Sequence, residues 1–317
     1  MDITFLLTRR VPDRPSPVLV EVARLLRAAG HQVHGWIPED RLLPAHHVPV
    51  ESDLYLLKSH TEHALSYASA LHDAGAPLLN DLPACLRAQD KVTAARRMRE
   101  LGVPTPDTWV AQDPASAAEL LEDGELIVKP VRGHRGAGVH RVQTPQQLAA
   151  LPSDQGPLII QRHVPGPGED LKVYVAGDQV WAVRKPFDEL SFSRPGRPVP
   201  VSGEVREIAQ RVRHGFGLEL FGVDVIESPE GPRVVDVNYF PGYKGCPDPA
   251  AGIAKVIMER LERLERLERP ARPRGPHADR EAEADPAAQA AAGTAAQAAV
   301  GTAAEASPEP VRQAGPR

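Results

Sequence analysis

Asp236 and Asn238 alternate with Val235 and Val237 in Val234–Gly245, so a strand through these residues projects both polar side chains from one face. A carboxylate and an amide oxygen aimed together suit a hard cation such as Mg²⁺, which takes oxygen ligands and keeps positions open for phosphate. An edge strand running into a polar turn would carry the same residues, so the stretch has to be weighed against the rest of the chain. Leu218–Ile226 reads as a second strand, with Asp224 between apolar neighbours. An acid in a buried strand is costly unless it is paired or bound to metal. Asp224, Asp236 and Asn238 therefore form a candidate three-ligand set on two strands of a hairpin. Pro241-Gly242 turns the chain, and Gly245 lets its backbone approach a neighbour or a ligand.

Phosphate chemistry is written further upstream. Glu125–Pro130 reads as a strand carrying Lys129, followed by the loop Val131–His140 with Gly133, His134, Gly136 and Gly138, and by a strand over Val139–Val142. Backbone N–H groups of such a loop can close on phosphate oxygens with the lysine as a point charge below. It is not a Walker loop, because Gly-Lys-Ser/Thr is missing. Leu158–Val164, with Gln161, Arg162, His163 and Val164, leads into Pro165–Gly168, a hinge whose exposed backbone groups could pair with an adenine edge. Asp170–Ala176 and Gln179–Pro186 are expected strands joined by Gly177-Asp178, and they carry Asp170, Lys172, Arg184 and Lys185. With Arg132, Arg135 and His140 these make a basic concentration that solvated surface explains poorly. A helix is expected over Gln89–Leu101, with Lys91 in its first turn, where a cation works against the helix dipole. Lys91 is thus either indifferent surface or placed to meet an anion.

The elements that must position these groups follow from periodicity. Strands are expected at Asp2–Thr8, Gln32–Ile37, Asp53–Lys58 and Leu78–Asn80, with helices over Pro17–Ala29 and from a Thr61 cap through Ala74. Their alternation predicts an open parallel sheet, and Lys58-Ser59-His60 follows a strand end, where such sheets bind ligands. A solvated loop is the competing account of that tripeptide. Ser191–Pro200 reads as a polar loop over a site. A helix over Glu204–Gly215 and a final helix capped by Asp248 complete the fold, the latter fraying through Glu259–Leu267 as solvated helix. Of 317 residues, 42% are hydrophobic and 25% charged, with a net charge of −5, so nothing global argues for nucleic acid or membrane as a partner. Cys85 and Cys246 make neither a disulfide framework nor a metal cluster, and reduced thiols of a cytoplasmic protein are expected. Seven of the 33 prolines fall in residues 270–317, which hold no apolar side chain larger than valine. That tail is expected to be disordered.

The ordered set resembles the ATP-grasp superfamily over roughly residues 2 to 265. It comprises Asp90-Lys91 with Leu101–Pro106, Ile127–Pro130 with its glycine loop, Ile160-Gln161, Asp170-Leu-Lys172, Phe221-Gly-Val-Asp224 and Asp236-Val-Asn238. The resemblance implies an α/β fold (α+β in the nucleotide half): an N-terminal open-sheet domain over 1–86, ATP-grasp subdomains over 87–160 and 161–269, and the tail. It implies ATP and two Mg²⁺ ions, or Mn²⁺, as cofactors. Lys91 and Lys129 would contact phosphates under Gly133–Gly138, Ile160–Val164 would hold adenine, and Asp224, Asp236 and Asn238 would bind metal. Lys172 with Arg184 or Lys185 would steady the transferred phosphoryl group. The glycine loop and Asp170-Leu-Lys172 look like ribosomal-protein glutamate ligases and related carboxylate–amine ligases. Asp236-Val-Asn238, where most such ligases carry Glu-x-Asn, and Asn238–Gly245 look more like inositol trisphosphate kinases. A carboxylate–amine ligase acting on a small anionic or carboxylate substrate, or on a peptide or protein terminus, ranks first, an inositol polyphosphate kinase second, and a non-catalytic ATP-binding regulatory protein third. Neither the acceptor nor the oligomeric state has a readable code.

Overall fold

Short apolar strands open the chain as a parallel sheet: β1 (Asp2–Leu6), β2 (Gln32–Trp36), β3 (Leu54–Leu57) and β4 (Leu78–Leu79), in the order β2-β1-β3-β4. The computed structural model describes residues 1–9, 15–131, 138–152, 156–186 and 195–268. Every residue of β3 is buried, as a central parallel strand requires. Helices α1 (Pro17–Ala28) and α2 (Glu62–Asp73) make the crossovers. The Thr61 hydroxyl caps α2 by accepting from the Ala64 amide at 3.2 Å.

The helix expected over Gln89–Leu101 is α4 (Lys91–Glu100), and an unexpected helix, α3 (Leu82–Gln89), precedes it. Pro83 sits in the first turn of α3, where its missing N–H costs nothing. Asp90 divides the helices and caps α4, accepting from the Thr93 amide at 2.9 Å.

A four-stranded antiparallel sheet follows, β5 (Thr108–Ala111), β6 (Leu126–Pro130), β7 (His140–Val142) and β8 (Leu158–Arg162), ordered β5-β8-β6-β7. Neither β5, the 3₁₀ segment Pro114–Asp123, nor α5 (Pro145–Ala149) was expected; β5 and α5 are too short for their periodicity to register. Leu126, Val128, Val142, Leu158 and Ile160 line a small separate core on one face of this sheet. The third sheet is antiparallel and five-stranded, with β9 (Glu169–Ala176), β10 (Gln179–Pro186), β11 (Arg197–Val199), β12 (Leu220–Ser228) and β13 (Gly231–Tyr239) in the order β11-β10-β9-β12-β13. Part of the expected loop Ser191–Pro200 is thus an edge strand; Arg197–Val199 pairs with β10 despite its proline, which an edge tolerates. Helices α6 (Gly203–Phe216) and α7 (Pro249–Glu268) pack beside it, and one apolar core joins this sheet to the first. The end of α7 departs from the solvated helix expected: Leu261 is buried and Leu264 packs on the core, leaving Leu267 exposed. Asp248, expected to cap α7, has a left-handed φ of 45° rather than the extended backbone of an N-cap.

The described elements lie within one unit, Met1–Arg269. No helix among the described residues is long and apolar enough to cross a membrane. The glycine-loop residues Arg132, Gly133, His134, Arg135 and Gly136, the positions 191–194 and the tail 270–317 lie outside the described residues.

One buried amide joins the first sheet to the third. Asn80, at the end of β4, accepts from the backbone N–H groups of Glu219 at 2.7 Å and Leu220 at 2.9 Å, and donates to the Leu220 carbonyl at 2.8 Å. Removing the side chain would leave buried backbone groups without partners, each costing about 1–3 kcal/mol. Asn80→Ala is therefore expected to destabilise the protein by about 2–4 kcal/mol, read as a lowered urea midpoint with wild-type secondary structure before the transition.

Candidate active site

The register of the five-stranded sheet decides which side chains meet. Asp224 on β12 pairs with Asp236 on β13 and with Lys172 on β9, while Gly222 pairs with Asn238. Directly paired residues share a face, as do alternate ones, so Asp170, Lys172, Lys185, Asp224, Asp236 and Asn238 all project to the same side. Lys172 Nζ lies between two acids, 2.6 Å from Asp170 Oδ2 and 2.7 Å from Asp224 Oδ2. Burial works against its charge, but Asp224 and Asp170 outweigh burial and hold the ammonium well above its ordinary pKa. Asp170 is pushed upward by burial, against the pull of Lys172 and with a further push from Asp224. Its Oδ1 has no hydrogen-bond partner among the described residues.

Lys91 reaches Asp236 from α4, its Nζ 3.2 Å from both carboxylate oxygens. The anion it was placed to meet is this one. The Asp90 cap fixes where α4 starts, and the following turn is tied to β13 through Val234 N–H to the Pro104 carbonyl at 2.8 Å and Thr105 Oγ1 to the Val234 carbonyl at 3.0 Å.

Lys129 enters from the other sheet. At Asp224/Val225 the register slips, β13 passing from Asp236 to Val234 and leaving Val235 without an opposite residue. The Val235 carbonyl accepts from Lys129 Nζ at 2.9 Å. Burial lowers the Lys129 pKa, Asp236 and Asp224 oppose that shift, and Lys91 adds to it. Pairing of Lys129 with Ile159 and of Ile127 with Gln161 sets Lys129 and Gln161 on one face of the four-stranded sheet, opposite the small core. Gln161 is buried and donates to Thr108 Oγ1 at 3.1 Å.

Other sequence candidates lie apart. Arg184 alternates with Lys185 and so faces away, where it pairs with Glu227 at 2.8 Å. Lys185 is buried on the site face, its pKa lowered by burial and by Lys172 and Lys244. Arg162 shares the core face of its sheet and donates to the carbonyls of Leu120 at 2.8 Å and Gly124 at 2.7 Å. His163 Nδ1 lies 3.3 Å from Glu125, and burial lowers its pKa. The backbone N–H groups of Arg162 and His163 donate to the Asp107 and Glu125 carbonyls. Val164 follows them just beyond β8, and Gly138 closes the glycine loop with φ of 70°. His140 is exposed on β7. Gly245 meets a neighbour: a Cβ there would strike the Gly196 backbone.

Sequence reasoning passed over Thr108 and Lys244. Thr108 belongs to an unexpected strand and carried no signal, whereas Lys244 stood inside the opening motif. Burial raises the Cys246 thiol to about 12 and pushes Cys85 up as well, which leaves neither as a nucleophile. Among the described residues no three His, Cys, Asp or Glu side chains gather as a metal site. A cation here would take two carboxylates and the Asn238 amide, an all-oxygen set that suits Mg²⁺.

Known proteins share this arrangement of sheets. A probable α-L-glutamate ligase of Serratia proteamaculans (strain 568) is 30% identical over 182 residues, covering 53% of this chain and 61% of the relative. A ribosomal protein bS6–L-glutamate ligase of Shigella flexneri serotype 5b is 28% identical over the same length with the same coverage. The chain thus spans about three fifths of the curated relatives it matches. The crystal structure of a RimK domain ATP-grasp protein from Sphaerobacter thermophilus superposes with a TM-score of 0.66 at 17% identity, over 81% of this chain and all of that one. The description "RimK-like ATP-grasp domain" matches residues 88–261, which take in Lys91, Lys129, Lys172 and all three oxygen donors, and the chain belongs to that family.

Proposed function

We propose that the protein is an ATP- and Mg²⁺-dependent carboxylate–amine ligase that activates its acid substrate as an acyl phosphate. The observation that carries this reading is the row Lys91–Asp236, Asp224–Lys172–Asp170, with Lys185 on the same face and Lys129 arriving from the facing sheet. Cations and carboxylates brought together at such density suit a polyphosphate and its counter-ion. The relatives' names support a ligase, and ribosomal protein bS6, the acceptor in one name, favours a peptide or protein terminus as the second substrate.

In this reading Lys91 and Lys129 hold ATP phosphates, and Asp224, Asp236 and Asn238 hold the metal. Bound Mg²⁺ supplies neutralising charge for the phosphoryl group in transfer. The acid's own carboxylate attacks the γ-phosphorus and ADP departs, so this step needs no protein base. The amine nitrogen then attacks the acyl carbon and phosphate leaves. Lys172 and Lys185 face that group and offset its developing charge. Arg184, on the far face and half-exposed with Glu227, has no such role.

Purified protein given γ-labelled MgATP, a panel of acids and hydroxylamine is expected to release labelled phosphate and form a hydroxamate. Label retained on a stable small anion would instead make the protein a kinase. Asp236→Asn is expected to lower turnover by about 10²–10³-fold or more while leaving the circular dichroism spectrum unchanged, and an active variant would overturn the metal assignment. Lys185→Met should cost kcat about 10²–10³-fold. Arg184→Met should cost less than about threefold, since an exposed ion pair contributes little. Equal losses in the two variants would remove the assignment of Lys185.

A further inference from the structure

The site face of the five-stranded sheet continues one row past the carboxylates. Tyr174 on β9 lies two residues after Lys172 and pairs with Gly222 on β12, which in turn pairs with Asn238 on β13. The phenol therefore stands on the side that carries the acids and lysines. Glycine at position 222 leaves room for it. A Cβ there would come within 3.2 Å of Tyr174 Cδ1 and 3.3 Å of Pro241 Cγ, so the ring and the corner after Asn238 meet above a bare position. From that corner Tyr243 packs on the Tyr174 ring, centroids 5.5 Å apart, and Trp181, the partner of Tyr174 on β10, meets Tyr243 edge-on at 6.1 Å.

A buried tyrosine hydroxyl ordinarily finds a partner. Tyr239 and Tyr243 do, donating to the Ser59 carbonyl at 2.8 Å and the Val175 carbonyl at 2.5 Å. Tyr174 is only 8% exposed, yet its hydroxyl makes no hydrogen bond with any described residue. Burial and the Asp224 carboxylate push its pKa up, with Lys172 opposing them, so the group keeps its proton while its oxygen feels the charges of the site.

Building on the ligase reading above, we infer that the Tyr174 hydroxyl donates a hydrogen bond to the acyl oxygen of the activated acid and stabilises the charge that develops there when the amine attacks. In that step the amine nitrogen bonds to the acyl carbon, and the carbonyl π pair moves onto the oxygen. The pair returns as the bond from carbon to the phosphate oxygen breaks. Phosphate leaves with that bonding pair and takes up the proton that nitrogen sheds. Lys172 and Lys185 face the phosphate end of the acyl phosphate, and a neutral donor one row beyond them suits the acyl end. An oxyanion that exists only during the attack is met best by a donor already fixed in place, and the packed ring fixes this one.

Full-length wild type and Tyr174→Phe would be compared with MgATP and the same panel of acids in two assays. Migration of a heavy-oxygen label from the β,γ-bridge of ATP to the neighbouring β positions, with acid present and amine absent, reads formation and reversal of the acyl phosphate. Hydroxamate formation with hydroxylamine reads the attack on the acyl carbon as well. Tyr174→Phe is expected to keep oxygen exchange and KM for ATP within about twofold of wild type and to lose kcat for hydroxamate about 10²-fold. Phenylalanine keeps the ring, so a tyrosine that only fills space would leave both assays unchanged, and a Tyr174→Phe enzyme with wild-type hydroxamate formation overturns the inference. Equal loss of exchange and hydroxamate in a variant with the wild-type circular dichroism spectrum would assign the hydroxyl to phosphoryl transfer, which also overturns it while the ligase reading stands. A wild-type protein that binds MgATP yet shows neither exchange nor hydroxamate with any acid overturns the ligase reading, and this inference with it.

Discussion

Two carboxylates, Asp224 and Asp236, stand opposite each other on paired strands, and keeping both there is the constraint on which this half of the molecule depends. Like charges so placed repel, and partial burial removes the water that would screen them. The chain answers with a lysine for each. Lys172 comes from the adjacent strand and is shared with Asp170; Lys91 comes from α4, 145 residues earlier in sequence than Asp236. Because Lys91 must arrive at one point, the start of α4 has to be set, and the Asp90 cap with the Pro104–Val234 hydrogen bond sets it. The mild dipole penalty of a lysine in a first turn is offset by Asp236, which brings negative charge to the helix N-terminus.

The same hairpin contains the irregularity that links the two antiparallel sheets. β13 is the edge strand of its sheet, and beside the bulge Lys129 takes the Val235 carbonyl. A buried ammonium otherwise loses its hydration without replacement. The carbonyl and the nearby acids keep the charge tolerable. The site is thus built from backbone geometry as much as from side-chain identity.

Much of the fold was legible in sequence because long periodic segments announce themselves. The parallel strands near the N-terminus, the crossover helices, the strand pair over Glu169–Pro186 and the hairpin of β12 and β13 follow from apolar alternation and turn residues. Short elements did not register. Thr108–Ala111 and Arg197–Val199 are strands because neighbours accept their hydrogen bonds, and neither has the length to show a period. Leu261 and Leu264 recur at a spacing that looks solvated until a core is there to receive them.

The candidate site divides along the same line. Residue type and alternation along single strands determined, from sequence alone, that Asp236 and Asn238 share a face and that Asp224 needs a partner, and left Lys91 as either indifferent surface or placed to meet an anion. Alternation also separates Arg184 from Lys185, but which of the two faces the acids depends on the pairing of β10 with β9, a register that no local pattern encodes. The partners of Asp224 and Asp236, the carbonyl offered to Lys129 and the meeting of Lys58 with Phe240 are contacts between segments far apart in the chain. Only the tertiary structure decided them, because strand register and helix placement are set by the packing of whole faces rather than by the residues that meet there.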